Sequence, residues 1–427
     1  MEVVHARCAG LDISKTDAKV CVRIAGRGRR KPSATVTTWS ATSSVILRLA
    51  DMLAEQKVTC VVMEATGAYW KPFYSLLAEA GLPVVLVNAS QVRQIPGRKT
   101  DVADAVWLAD LAAHGLVRAS FVPDLEITEL KDLVRARTIL VRLRGEEVQR
   151  LEKLLESAAL KLSSVISNLN GASGRRMIEA LIAGERDPEV LAGLGHGLLK
   201  ASRAELAEAL TGRFSDHHGF LAKVHLDVID SYAARIDDLA ARIETYFEPD
   251  RPAPAEGPSL RRARELLVTI PGISLIGAEQ ILAEIGTDMT VFASPGRLAS
   301  WAGLAPGAHE SAGKVKSTRC RPGNAYLKGT LGIVAMTAAR QKKSFLAARY
   351  RRVRARRGHS RALVALARTI LELCWHLLTT DQPYRDRGAD YYDKRRPGTA
   401  IKTALQRLRD AGCQITTSEE GILITTA

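Results

Sequence analysis

Six cysteines are scattered through the 427 residues, at Cys8, Cys21, Cys60, Cys320, Cys374 and Cys413, with no CxxC spacing among them. This argues against a clustered zinc site or a disulfide framework and predicts reduced thiols in a cytoplasmic protein. No run of 18 apolar residues occurs, so no membrane span is predicted. The start, MEVVHARCAGLDIS, lacks a basic segment followed by a long apolar run, which argues against secretion. The phosphate loop GxxxxGK[ST] is missing, which disfavours a nucleotide-binding kinase-type core. Aromatic residues make up only 5%, and no internal repeat is visible. Acidic residues are in deficit, 46 against 61 Lys and Arg, for a net charge of +15. A surplus of that size favours polyanionic partners, because each phosphate contact releases counterions.

With 46% hydrophobic residues the chain can build real cores, and its length suits two or three domains. Residues 1–122 alternate strand and helix signals. AGLDIS, AKVCVRIAG and ATVTTWS read as three strands, TCVVMEATG as a buried one and LPVVLVN as a fifth, with helices near 44–55, 69–80 and 101–114. The pattern predicts an α/β domain with a mixed sheet. Residues 123–250 read as helical: Val134, Val141, Val148, Leu155 and Leu162 recur every seven residues, and Ile229, Tyr232, Ile236, Leu239, Ile243 and Tyr246 every three or four. These seams suit either an intramolecular hairpin or a dimerising coiled coil, with glycine-rich Gly171–Gly197 as a looped tip. Four prolines mark a linker at 251–259 and its approach, a second globular unit follows at 260–380, and 381–427 forms a tail ending in a helix and a strand pair.

Four acids stand out in the first domain. Asp12 sits between Leu11 and Ile13, so its side chain alternates onto the opposite sheet face from theirs. Glu64 ends an apolar strand, where α/β sheets tend to place ligand sites. Asp101 and Asp104 share one face at a helix start. Four carboxylates from three elements suit hard divalent cations, and two such ions serve phosphoryl transfer. The plainer reading makes Asp101 and Asp104 complements of a helix dipole, Asp12 a turn residue and Glu64 an ion-pair partner.

GLDISKT, MEATGAYW and GRKTDVADAVWLADL resemble, in order, the three signature blocks of the IS-one-ten family of bacterial insertion-sequence transposases. The resemblance implies an RNase H-like, RuvC-like N-terminal domain whose DEDD tetrad is Asp12, Glu64, Asp101 and Asp104. It implies Mg²⁺ as cofactor, as two ions, with Mn²⁺ able to substitute.

Beyond the linker, LLVTIPGISLIGAEQILAEIG reads as helix, tight turn at Pro271–Gly272, helix: either a helix-hairpin-helix able to grip a phosphate or a plain αα-hairpin in a mainly α domain. AGLAPG followed by HESAGK and a basic stretch resembles the family's C-terminal transposase domain, and the resemblance puts its serine nucleophile at Ser311, with Ser300 and Ser317 as nearby alternatives. Lys314, Lys316, Arg319, Arg321 and Lys328 surround it. The run Arg340–Arg361 holds ten Lys or Arg and no acid, so Arg351, Arg352, Arg354, Arg356 and Arg357 are candidates for nucleic-acid backbone contact.

The resemblance implies excision and insertion of an element through a covalent 5′-phosphoserine link. The implied partners are donor and target DNA, a structured non-coding bridge RNA, and further copies of the chain as a dimer, or a tetramer in synapsis. The long helical spacer leads us to expect a site composed across protomers. The rival readings are a hydrolytic RuvC-like junction endonuclease with Ser311 as bystander, and a non-catalytic nucleic-acid-binding protein.

Overall fold

The computed structural model describes residues 2–26, 31–65, 67–88, 100–195, 197, 199–251, 254, 256–307, 309–311, 313–395, 397–418 and 421–426. The chain divides into two compact units, Met1–Val122 and Pro123–Ala427.

The first unit is built on β1 (Arg7–Ile13), β2 (Asp17–Ile24), β3 (Ser33–Ser40), α1 (Ser43–Glu55), β4 (Cys60–Glu64), α2 (Trp70–Glu79), β5 (Val84–Val87) and α3 (Asp101–Ala113). The strands form one mixed sheet in the order β3-β2-β1-β4-β5: the β1–β2–β3 meander is antiparallel, whereas β4 and β5 run parallel to β1. Period-two alternation sorts the side chains. Leu11, Val20, Val61 and Met63 face Ile46, Leu49 and Leu53 of α1 and Phe73 and Leu77 of α2 in one core. On the other face Cys8, Cys60 and Val62 meet Leu108 and Ala112 of α3. This three-layer arrangement is the mixed α/β architecture expected of an RNase H-like DEDD domain. The thiols are core groups. Burial pushes the Cys8 thiol up to about 12 and that of Cys21 up to about 11, so they are not thiolates near neutral pH.

The second unit begins with α4 (Leu125–Ser157) and continues through α5 (Leu162–Val165), α6 (Ala172–Ile182), α7 (Pro188–Gly193), α8 (Arg203–Ala209) and α9 (Asp216–Glu244). α4 and α9 pack together and run antiparallel: Glu147 meets His225 near one end, and Tyr246, just past α9, donates to Glu129 at 2.9 Å near the other. The seven-residue positions of α4 do not form one continuous buried seam, since Val141 is 44% exposed while Leu155 is buried. The expected looped tip is a correction. Residues 171–197 carry two helices, and Met177, Ile178, Leu181 and Leu191 join Leu151, Leu155, Leu206 and Leu226 in a core of their own. Gly174 serves close packing: a Cβ there would lie 2.3 Å from the carbonyl oxygen of Leu169.

The Pro-rich segment falls inside this unit. After it come α10 (Leu260–Val268), α11 (Leu275–Ile285), α12 (Pro295–Trp301), β6 (His309–Ser311), β7 (Lys314–Ser317), α13 (Ala325–Arg340), α14 (Phe345–Arg357), α15 (His359–Thr380), α16 (Tyr391–Arg395), α17 (Pro397–Asp410), β8 (Cys413–Ser418) and β9 (Gly421–Thr426). α11 is buried from Gly277 onward, apart from half-buried Gln280, and packs on α4, α10 and α13. Its two buried acids are answered from α4. Arg137 donates to Glu279 at 2.7 Å, and Arg135 reaches Glu284 through two bonds of 2.7 and 2.8 Å. Asn324 adds a further donor to Glu284. Buried carboxylates demand such partners. α15 is long and apolar enough by composition to cross a membrane; here Leu366, Ile370 and Cys374 are buried and the helix packs on α12, α13 and α14, the position of a core helix.

Candidate active site

Gly10 decides where the acids sit. A Cβ at this position would lie 2.3 Å from the carbonyl oxygen of Ala105 and 2.4 Å from the amide nitrogen of Ala109, so α3 rests directly on the β1 backbone. Two residues back, the Cys8 thiol donates to the Ala109 carbonyl at 3.2 Å. As β1 advances from Cys8 to Gly10, α3 therefore retreats from Ala109 to Ala105, which runs its N-terminus toward Asp12. Asp12 shares the Gly10 face by strand alternation. The parallel register pairs Gly10 with Val62 and Leu11 with Met63, so Glu64 stands one step on, beside Asp12 and on the same face. Thr100 caps α3 by accepting from the Ala103 amide at 3.2 Å, and Asp101 and Asp104 occupy the first turn. The backbone thus brings all four acid-bearing positions to one end of the sheet, on the α3 side.

Asp12, Glu64 and Asp104 are half-buried and Asp101 is exposed. Among the described residues, no group of three or more His, Cys, Asp or Glu side chains is close enough together to hold a metal ion. The dipole reading of Asp101 and Asp104 fits their place, because a first-turn carboxylate faces the positive helix end. Residues 97–99 of the third signature block lie outside the described residues, as does Thr66 of the second. Lys19, which pairs with Asp12 across β1 and β2, directs its ammonium to Asp17 at 3.2 Å and Thr38 at 3.1 Å.

Ser311 belongs to the second unit. Its backbone ends β6 and pairs with Lys314 of β7 in a short hairpin, with Gly313 at φ +73° in the turn; its side chain lies outside the described residues. The hairpin stands on a stalk closed by two glycines. A Cβ on Gly323 would lie 2.3 Å from the Ala302 oxygen, and one on Gly303, at φ +72°, 2.8 Å from the Gly323 Cα. Arg321 fastens the same neck by donating to the Ser300 carbonyl at 3.2 Å and hydroxyl at 3.1 Å. Ser300 is thus tied into the stalk, and the Ser317 hydroxyl accepts from the Arg319 amide at 3.2 Å. Lys314, Lys316 and Arg319 are exposed, and Lys328 reaches the Arg321 carbonyl at 3.4 Å.

On α14, Phe345, Leu346, Ala347 and Tyr350 face inward, leaving Arg351, Arg352, Arg354, Arg356 and Arg357 exposed. Among the described residues no carboxylate lies within salt-bridge distance of these five; Arg352 instead sits 4.8 Å from the centroid of the Tyr392 ring. Sequence reasoning missed Gly10, Gly303 and Gly323 as positioning residues. The available signal was a glycine inside a strand pattern at Gly10, which marks close backbone approach; the stalk needs contacts between segments about 20 residues apart and left none.

Residues 9–159, which contain all four acids, match a family model described as a transposase, the DEDD transposase of IS110 elements. Residues 264–351, which contain Ser311, match one described as a transposase of the IS116/IS110/IS902 family. The chain is 27% identical over 406 residues to the insertion element IS900 uncharacterized 42 kDa protein of Mycobacterium paratuberculosis, covering 88% of this chain and 96% of that one. It is 26% identical over 340 residues to the transposase for insertion sequence element IS1111A of Coxiella burnetii, with 78% and 81% covered. The insertion element IS110 uncharacterized 43.6 kDa protein of Streptomyces coelicolor is 27% identical over 346 residues, with 75% and 79% covered.

Proposed function

We propose, from the premise that this chain belongs to the IS110 family of transposases, that it recombines DNA by Mg²⁺-dependent strand exchange through a covalent 5′-phosphoserine. Transposition by cleaving and rejoining DNA follows from the family; the chemistry is our reading. In it, the Ser311 Oγ gives up its proton and attacks a phosphodiester phosphorus. The Oγ–P bond forms as the P–O3′ bond breaks, and the 3′-oxygen leaves as a hydroxyl. A 3′-hydroxyl from another strand then attacks the phosphoserine, restores the diester and frees the serine, so bond energy is conserved and no external energy source is needed.

Asp12, Glu64, Asp101 and Asp104 would hold the Mg²⁺ ions. Their donor chemistry fits, because carboxylate oxygens suit a hard divalent cation; three elements bring their backbones to one sheet end, and the side chains would have to draw together to hold an ion. Bound divalent ions supply polarisation of the phosphate and stabilisation of the leaving 3′-oxygen. The exposed cations of the Ser311 hairpin and of α14 hold the DNA backbone and the bridge RNA that selects donor and target. Further copies of the chain, a dimer or a synaptic tetramer, bring the exchanging strands together.

The observation that carries the reading is the arrival of Asp12, Glu64 and the α3 N-terminus at one place, in a segment that matches the family's DEDD domain. Strand exchange on a synthetic element end, measured with and without Mg²⁺, tests it. The expected outcome is that Asp12→Ala and Asp104→Ala each lower the rate about a hundredfold or more while DNA binding persists. Full exchange in EDTA, or by either variant, contradicts it.

A further inference from the structure

A cavity of about 580 Å³ opens at the C-terminal end of α15, between that helix and the loop that follows it. The volume lies within the roughly 300–1,000 Å³ typical of small-ligand sites. Leu373, Leu377 and the exposed Pro383 give it an apolar floor with His376 at its edge, and the half-buried Tyr384 lines it beside Arg385 and Arg387. Burial, with help from Asp386, pushes the Tyr384 phenol above its ordinary range and keeps it a hydrogen-bond donor.

The acid of this loop is already occupied by the fold. Asp386 Oδ1 accepts from the Phe345 amide at 3.0 Å and the Gly388 amide at 2.6 Å, and Oδ2 accepts from the Tyr384 hydroxyl at 3.3 Å. Among the described residues, no carboxylate lies within salt-bridge distance of Arg385 or Arg387. The Arg387 guanidinium instead sits 5.7 Å from the Phe345 centroid and 5.5 Å from that of Tyr391. Phe345 stacks on Tyr392 at 5.8 Å, and Arg352 of α14 covers Tyr392. A tier of rings and guanidinium groups therefore runs from the cavity mouth to the arginine comb. An aliphatic ligand would use the floor and leave the arginines unanswered; an inorganic anion would do the reverse. A planar base with its phosphate uses both.

We propose that this cavity captures one unstacked base of a nucleic-acid strand whose phosphates run from Arg385 and Arg387 toward the exposed arginines of α14. This rests on the reading of the chain as a nucleic-acid enzyme. The base lies against the Tyr384 side of the floor, and the exposed Gln382 amide offers a donor and an acceptor to its edge. Such a pocket holds an extruded nucleotide while strands are exchanged and is tolerant of sequence, since every base has an apolar face.

The test compares full-length protein with Thr380→Leu and Thr380→Met, two aliphatic replacements at an exposed rim position that fill the cavity mouth without offering a stacking face. The probes are oligothymidylate of about twenty nucleotides and an abasic strand of equal length, with the matching oligouridylate to tell a DNA from an RNA source. The parent should bind the base-bearing strand about tenfold more tightly than the abasic one, and both variants should lose that preference while binding the abasic strand as the parent does. The same preference for DNA alone, or for RNA alone, identifies the source. Equal binding of base-bearing and abasic strands by the parent overturns the pocket and leaves the enzyme reading standing, as does full preference in both folded variants. Failure of the parent to bind any strand or duplex overturns the enzyme reading itself.

Discussion

Gly10 shows how much of a site can depend on an atom that is missing. Its hydrogen lets the α3 backbone touch β1, and that contact sets the distance from the sheet to the turn bearing Asp101 and Asp104. A methyl group there has nowhere to go, because the clash is with backbone at 2.3 Å. Gly10→Ala should destabilise the first unit by about 1–3 kcal/mol, the usual cost of overpacking. It should also depress strand exchange more than that loss of stability explains, which thermal melting beside activity at low temperature will show. The backbone positions of the four acids were legible in the sequence because each has its own local signal: strand alternation at Asp12, a strand end at Glu64, a helix start at Asp101 and Asp104. Gly10 was not singled out, since its meaning lies in a helix about 100 residues away.

Between elements, the helical arm is fixed by charge as well as by apolar packing. Arg264 of α10 holds Glu244 of α9, with one bond at 2.7 Å, and Arg175 of α6 binds Asp230 of α9 at 2.7 Å. Glu147 of α4 meets His225 at 2.6 Å. Arg264 holds the Glu244 carboxyl below its ordinary range against a smaller opposing effect of burial, and Arg175 does the same for Asp230. For Glu147, burial pushes upward, but His225 and Arg150 outweigh it and the net direction is down. A depressed folded-state carboxyl contributes stability that is present above the unfolded value and lost as pH falls through the folded one. The arm should therefore keep its stability down to about pH 4 and lose it progressively below. Urea melts across that range will check this, and Arg264→Gln should flatten the acid limb. Loss of stability confined to pH above 6 contradicts the assignment. The two long helices were legible from their spacing, but the tip between them was misread. Glycine richness there suggested a loop, whereas Gly174 allows a helix to pack at close range and Met177, Ile178 and Leu181 supply its buried face.

For the whole molecule, the +15 charge is a statement about partners, and the fold gives it a location. Many cations are engaged internally: Arg135, Arg137 and Arg264 serve the buried acids of α11, and Arg321 ties the stalk. The exposed arginines of α14 are a concentrated part of the surplus. DNA affinity should fall steeply with salt, and Arg354→Ala and Arg356→Ala should each weaken binding across sequences and reduce the salt slope by about one. Unchanged slopes would move the backbone contact elsewhere. The basic run was legible as charge, but which arginines the fold uses internally was not, because partners such as Tyr392 lie on a later helix.

The account turns on whether Ser311 becomes bonded to DNA. The direct measurement is trapping on a nicked suicide substrate from which the 3′-hydroxyl fragment diffuses away, followed by denaturation and mass spectrometry of the adduct. The parent protein should yield a denaturation-resistant complex with a 5′-phosphate on Ser311. Ser311→Ala should yield none, and Ser300→Ala and Ser317→Ala should retain it. Cleavage by Ser311→Ala at the parental rate with no surviving adduct would contradict the account and make the tetrad a hydrolytic nuclease.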